Sequence, residues 1–464
     1  MKRTQMITDM TSGNPLGHIL HFALPLLLGN LFQQLYNMVD SLVVGNYVGS
    51  NALAAVGTCG SMNFLFFSLS SGLAIGIGII ASQYFGAKSE ALLKKTIANS
   101  IYVLVSASLL VSFLGILIAP TILRLLNTPD TIINDSIIYM RTTCSGIIAI
   151  ALYNGVASIL RALGDSKTPL YFLILSSIIN VVLDLLFVLG FNWNVFGVAL
   201  ATIIAQAISA LTSIIYAYKK IPYFKLTRSE LKPNKSIIFH SFRLGIPVAL
   251  QNSMIAISMM ALQGVVNSFG ETVMAAYTIV SRVEQIVQQP YSSLGMALTN
   301  FSGQNMGANE ISRVKKGFRV SIGIVFFFSI CLIPIAYLFG SNIIGLFVKE
   351  QPVIEMGAKA LRITSLCYFG LGMIYVPRAI LNGCGDTGFA MINGITEVLC
   401  RIVYSQLFTR LSMLGYWGIW VTTGFTWITT AFICILRYLS GKWQSKSIIS
   451  PQKKPIMRKK VSLS

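Results

Sequence analysis

Four polar residues, Gln33, Tyr36, Asn37 and Asp40, sit at i, i+3, i+4 and i+7 inside the first long apolar stretch of the chain, so a helix there carries them on one face. A carboxylate in mid-membrane costs about 2.5–3.5 kcal/mol on insertion scales, which makes a functional site the first hypothesis and a carboxylate reaching interfacial water the second. Another acid, Asp184, follows Asn180 by one helical turn in a later apolar stretch, and Thr202 lies in the stretch after that. At about 1.5 Å of rise per residue, Asp184 lies about 24 Å from one surface and Thr202 about 10 Å from the other, similar levels in a core about 30 Å thick. Asp40 falls at comparable depth, and Tyr139 and Asn154, in one further stretch, can join the group. Burial and like charge each disfavour the ionised form of such a carboxylate pair. With Asn and Thr oxygens beside it, the pair either holds a proton or captures a hard cation such as sodium. The alternative is a purely structural hydrogen-bond network.

The elements that must position these groups are membrane spans. Of 464 residues, 54% are hydrophobic and only 11% charged, against about 25% charged in soluble domains; mean hydropathy is +0.71. Twelve apolar runs of about twenty residues are predicted to cross a bilayer. The net charge of +20 is concentrated in alternate loops, with Lys88, Lys94 and Lys95 in the second, Arg161 and Lys167 in the fourth, seven basic residues from Lys219 to Arg243 in the sixth, and Arg313 to Arg319 in the eighth. This is the positive-inside pattern of a multi-pass protein of the cell (inner, cytoplasmic) membrane with both termini cytoplasmic. No basic soluble stretch is long enough for a nucleic-acid-binding domain, and none is expected as a partner. The start of the chain lacks the apolar core of a cleavable signal peptide. The seven cysteines show no CxxC spacing and read as small apolar residues, and His18 and His21 read as interfacial rather than as metal ligands, so no metal or cofactor is expected.

The chain also repeats itself. A shift of 221 residues superposes Gln83, Gly86, Ala87, Lys94 and Lys95 on Gln304, Gly307, Ala308, Lys315 and Lys316, and Ile159, Leu160, Gly164 and Asp165 on Ile380, Leu381, Gly385 and Asp386. Six spans repeated in the same orientation imply an all-α membrane protein of two six-helix bundles related by a pseudo-two-fold axis along the membrane normal, with a cleft between them at the midplane. The predicted divisions are a first lobe over 1–218, a basic cytoplasmic linker over 219–243, a second lobe over 244–440 and a basic cytoplasmic tail over 441–464. Pro25 and Pro247 fall early in the first helix of each half, where each is either a hinge or a static kink.

The second half does not copy the acidic site: at the same shift Asn180 meets Arg401 and Asp184 meets Ser405. Glu397 and Arg401, at i and i+4, read as a local ion pair. Glu284, with Gln288 beside it and Gln251 on another span, can face the central cleft, with Arg282 or Arg378 as the acid's partner.

These residues resemble a known family. Pro25 with the polar run Gln33–Asp40, Ser82-Gln83-Tyr84-Phe85-Gly86-Ala87, Arg161-Ala162-Leu163-Gly164-Asp165-Ser166-Lys167-Thr168-Pro169 and Gly303-Gln304-Asn305-Met306-Gly307-Ala308, in this order on a twelve-span repeat, are similar to the multidrug and toxic compound extrusion (MATE) transporters, and most similar to the DinF-like branch. The resemblance implies a V-shaped fold and proton- or cation-coupled export of organic, often cationic and apolar compounds, and it matches Asp40, Asn180, Asp184 and Thr202 to that branch's proposed ion site. Gln251 stands where the seventh-helix Glu of the NorM-like branch would be, and Leu371 near the position of its tenth-helix Asp, a departure that argues against a second-lobe cation site. The expected function is a secondary active antiporter working against inward H+ or Na+, with organic cations as its small-molecule partners, the lipid bilayer around it and the protein a monomer. A flippase for a lipid-linked saccharide is the alternative, though Arg161, Arg378 and Arg401 are sparse for a phosphate-bearing substrate. An enzyme is not expected, because the sequence offers no HExxH, no clustered His and no acid pair with a His.

Overall fold

The computed structural model describes residues 7–449 except position 127. Fourteen α-helices account for the described bundle: α1 Pro15–Val43, α2 Ser50–Gly86, α3 Glu90–Leu125, α4 Asp130–Ser145, α5 Ile147–Ala162, α6 Lys167–Leu185, α7 Asn194–Lys220, α8 Lys235–Val266, α9 Glu271–Gly307, α10 Ile311–Gly345, α11 Gln351–Ser365, α12 Tyr368–Gly383, α13 Thr387–Arg410 and α14 Gly418–Leu439. Local chemistry sets their ends. Asn14 caps α1 by accepting from Leu16 N at 3.0 Å with Pro15 in the first turn, and Asn234 caps α8 by accepting from Ile237 N at 3.1 Å. Gly49 and Gly270, at φ +120° and +88°, make the turns into α2 and α9 that a side chain would strain.

The sequence repeat is a backbone repeat. Adding 221 to the bounds of α2 gives the bounds of α9, and adding it to those of α5 gives those of α12. Even the left-handed residues Lys88 and Asn309 correspond. The fourth predicted span is two helices, α4 and α5, bent by 44° after Ser145, and its counterpart is α11 and α12, bent by 49°. These breaks were not legible as periodicity, since the apolar pattern runs through them. Among the described residues, eight single helices and these two bent pairs are long and apolar enough to cross a membrane. The remaining pair, α9 and α13, are spans by position: α9 packs on α1, α2 and α12 and α13 on α8 and α14, while residues such as Arg282, Glu284, Glu397 and Arg401 lower their apolar content.

The first lobe is α1–α7 and the second α8–α14; the first has an apolar core containing Ile77, Ile97 and Leu160, and the core of the second around Tyr291, Phe301 and Ile380 also takes in Ile19, Phe22 and Leu26 of α1. The nine residues 235–243, read from sequence as the end of the linker, are the first turns of α8; the connection itself is 221–234. The lobes meet along α2 with α8 and α1 with α9. A Cβ on Gly72 would lie 2.5 Å from Ala249, one on Gly76 2.6 Å from Gly245 N, and one on Gly245 2.7 Å from Leu73 Cα. Toward the other ends of the same helices, Gly57, Gly60 and Gly264 face open space. The two lobes therefore converge toward one face, called here the seam face, and diverge toward the other. Pro25 and Pro247 are both inside continuous helices.

Candidate functional site

Three helices of the first lobe bring the predicted polar group together. α1 packs on α6 and α6 on α7, which places Asp40, Asn180 with Asp184, and Thr202 side by side. Asp184 is fully buried and Asn180 is 1% exposed; Asp40 and Thr202 are half-buried. The Asp40 and Asp184 carboxyls are in hydrogen-bonding contact with each other. Two bare carboxylates repel at such a contact, which a shared proton or a cation would relieve. Asn180 completes the arrangement with its Nδ2 donating to Asp184 Oδ2 at 3.0 Å and its Oδ1 accepting from Thr202 N at 3.2 Å. Thr202 Oγ1 lies 3.2 Å from that amide oxygen and 3.1 Å from Val198 O. One oxygen of each acid, Oδ1 of Asp40 and of Asp184, is buried with no donor among the described residues.

The supporting residues divide. Tyr36 points into the site, its hydroxyl in reach of Thr202 and close to both acids, and Tyr139 of α4 is buried within electrostatic range of the same acids. Gln33 and Asn37 are exposed instead. A helix face spanning four polar residues is wider than the site it adjoins, so only the two central to the α1–α6 contact are drawn in. Asn154 sits half-buried on α5, beyond the bend, and makes no hydrogen bond to the cluster. Two local features escaped the sequence reading. Both carboxylates lie just before a widened helical turn, Val44–Val48 after Asp40 and Leu186–Gly190 after Asp184, and these two turns touch. Such π-type turns recur at functional sites because they leave backbone groups off the regular ladder. Gly146, at the α4–α5 break, lies against Ile203, the neighbour of Thr202.

The second lobe holds charges of a different kind. Glu397 and Arg401 form the pair their spacing predicts, at 3.5 Å and with both side chains buried. Glu284 meets neither expected partner. Arg282 is exposed and Arg378 stacks over Tyr375 at 4.9 Å, whereas Glu284 reaches Thr364 and faces Arg401. Glu284 and Gln251 are both buried, and Gln251 packs against Gly394 of α13, inside the lobe rather than on a shared cleft wall. Gln288 accepts from the Tyr375 hydroxyl at 3.4 Å. Arg401→Leu would leave two buried acids without their cation, a change that costs about 3–5 kcal/mol. A marked fall in the unfolding temperature of the purified protein is the expected result, with Glu397→Gln/Arg401→Leu recovering part of it.

The MatE family model matches residues 25–186 and, a second time, 247–407. The chain belongs to the MATE family of transporters. Among its relatives, the probable multidrug resistance protein YoeA of Bacillus subtilis is 31% identical over 92% of this chain and 94% of its own length. YpnP of the same organism, also a probable multidrug resistance protein, is 30% identical over 95% and 99%. The multidrug export protein MepA of Staphylococcus aureus N315 is 25% identical over 86% and 88%. A solved outward-facing MATE transporter superposes with a TM-score of 0.88 at 22% identity, covering 96% of this chain and all of that one (100%). The fold is thus the twelve-helix, V-shaped MATE fold, and this MATE protein is a transporter rather than an enzyme.

Proposed function

We propose that this MATE protein is a secondary active multidrug exporter that moves organic, often cationic and apolar, compounds outward against inward H+ or Na+. The names of its relatives support the substrate class. The observation that carries the coupling is the contact between Asp40 and Asp184, each with a buried oxygen that no described protein group satisfies. A proton bridges the pair by occupying one oxygen. A sodium ion uses several at once, with Asn180, Thr202 and Tyr36 as further oxygens. The basic loops support a cytoplasmic seam face; in this reading the cleft opens outward and the ion enters the first lobe from outside. Ion and drug must favour different states for one to drive the other. The ion neutralises the acid pair, the helices around it shift, drug affinity falls and the drug leaves; release of the ion inside resets the site. Pro25 and Pro247 are the hinges in this scheme, and the working unit is the monomer.

The test is ethidium extrusion from membrane vesicles under an imposed pH gradient alone and a sodium gradient alone. Extrusion driven by one gradient and lost in Asp40→Asn is the expected result and names the ion. Extrusion under neither gradient by folded protein would overturn the reading and favour a lipid-linked or other specific substrate.

A further inference from the structure

At the seam face the two copies of the repeated Gln-Gly motif meet each other. Gln83 Nε2 donates to Gly383 O at 2.9 Å, and Gln304 Nε2 donates to Ala162 O at 2.9 Å. Position 162 plus 221 is 383, so each glutamine of one lobe caps the C-terminal carbonyls of the equivalent helix in the other, groups that a helix cannot satisfy itself. A Cβ on Gly86 would overlap Gln304 O, and one on Gly307 would overlap Gln83 O. Both glutamines are fully buried.

The far side of each amide is taken by a segment outside the repeats. Gln304 Oε1 accepts from Met10 N at 2.8 Å, and Gln83 Oε1 accepts from Ile448 N at 2.9 Å. The N-terminal segment then bridges the lobes: Thr8 N donates to Leu163 O at 3.2 Å in the first, while Arg313 of the second donates to Met10 O and Gly13 O at 2.9 Å and to Ser12 O at 3.0 Å. The C-terminal segment does the converse. Trp443 stacks on Tyr438 of its own lobe, and Ile448 packs on Ile79 and Ile80 of the other.

We propose that Gln83 and Gln304, locked by residues 8–13 and 443–448, are the paired gate of the seam face, and that both amides give up their cross-lobe carbonyls each time the transporter opens on that side. Alternating access requires this seam to part. At the rim, hydrogen bonds between helix ends and small residues are contacts that water can replace with little net change once the seam opens, while Met10, Ile19, Phe22 and Leu26 share an apolar cluster with Tyr291, Leu294 and Phe301 of the other lobe and must part with them.

The proposal rests on the transporter reading, but its test measures spacing and not transport, so the two fail separately. In protein with its seven cysteines replaced, Ala91→Cys and Ser312→Cys place spin labels at equivalent exposed positions, one per lobe. Pulsed electron-electron distances in nanodiscs report seam opening. Gln83→Ala/Gln304→Ala is expected to raise the ratio of long to short distances about tenfold, and removal of residues 446–464, which leaves every helix intact, is expected to raise it in the same direction. Unchanged distances in both, at unchanged melting temperature, would overturn the gate. Should the double variant fail to fold, the truncation alone decides.

Discussion

Asp184→Asn is expected to abolish coupled efflux while the protein stays folded. Asparagine keeps the volume of the buried side chain and can still exchange a hydrogen bond with Asn180, which lies 3.0 Å away. What it cannot do is lose and regain a charge. A site whose task is to bind a cation in one state and release it in another needs that change, so the drug's cycle loses its drive. Stability should move little or rise, because a buried carboxylate with an unsatisfied oxygen is replaced by a neutral group. Asp40→Asn should behave the same way, and the double variant should be no worse than either, since the two acids act as one unit. Ethidium efflux in cells, read beside a thermal melt of the purified protein, checks all three. Efflux at the wild-type rate from either single variant would remove the site.

Gly72→Leu is expected to be nearly as damaging for an unrelated reason. A Cβ there would lie 2.5 Å from Ala249 N, Cα and Cβ, a backbone contact that no rotamer change relieves. Overpacking of this kind costs about 1–3 kcal/mol or more, and here the simplest relief is to push α8 away from α2. Transport should fall to background, the melting temperature should drop, and the lobes should stand apart at the seam face. Gly57→Leu on the same helix is the control. A Cβ at Gly57 meets nothing within 4 Å, and leucine in lipid or open cleft costs nothing of this sort, so folding should be unaffected. Equal melting temperatures for the two variants would mean that the α2–α8 contact is not tight.

Much of this was legible in the sequence because two periodicities carry it. Spacing of 3.6 residues put Asp40 with Tyr36 and Asn180 with Asp184, and the 221-residue shift gave the two lobes. What neither periodicity contains is direction. Gln33 and Asn37 share a helix face with Asp40, yet the width of that face lets them point outward. Glu284 was assigned to the wrong arginines because pairing across helices depends on crossing angles, not on residue counting. The widened turns after Asp40 and Asp184 and the breaks at Ser145 and Ser365 leave the apolar pattern untouched. The shift also showed that Gln83 and Gln304 are equivalent without showing that they are neighbours.

The two straps at the seam have a consequence for how the molecule is made. Residues 8–13 leave the ribosome before either lobe, but Gln304 and Arg313, which hold them, lie deep in the second. Gln83 belongs to the first lobe, and Ile448, which fills its amide, follows the second. Neither half of the seam can close while only one lobe exists. Each bundle can therefore insert and pack as a unit, and the docking of one against the other is deferred until all twelve spans are in place.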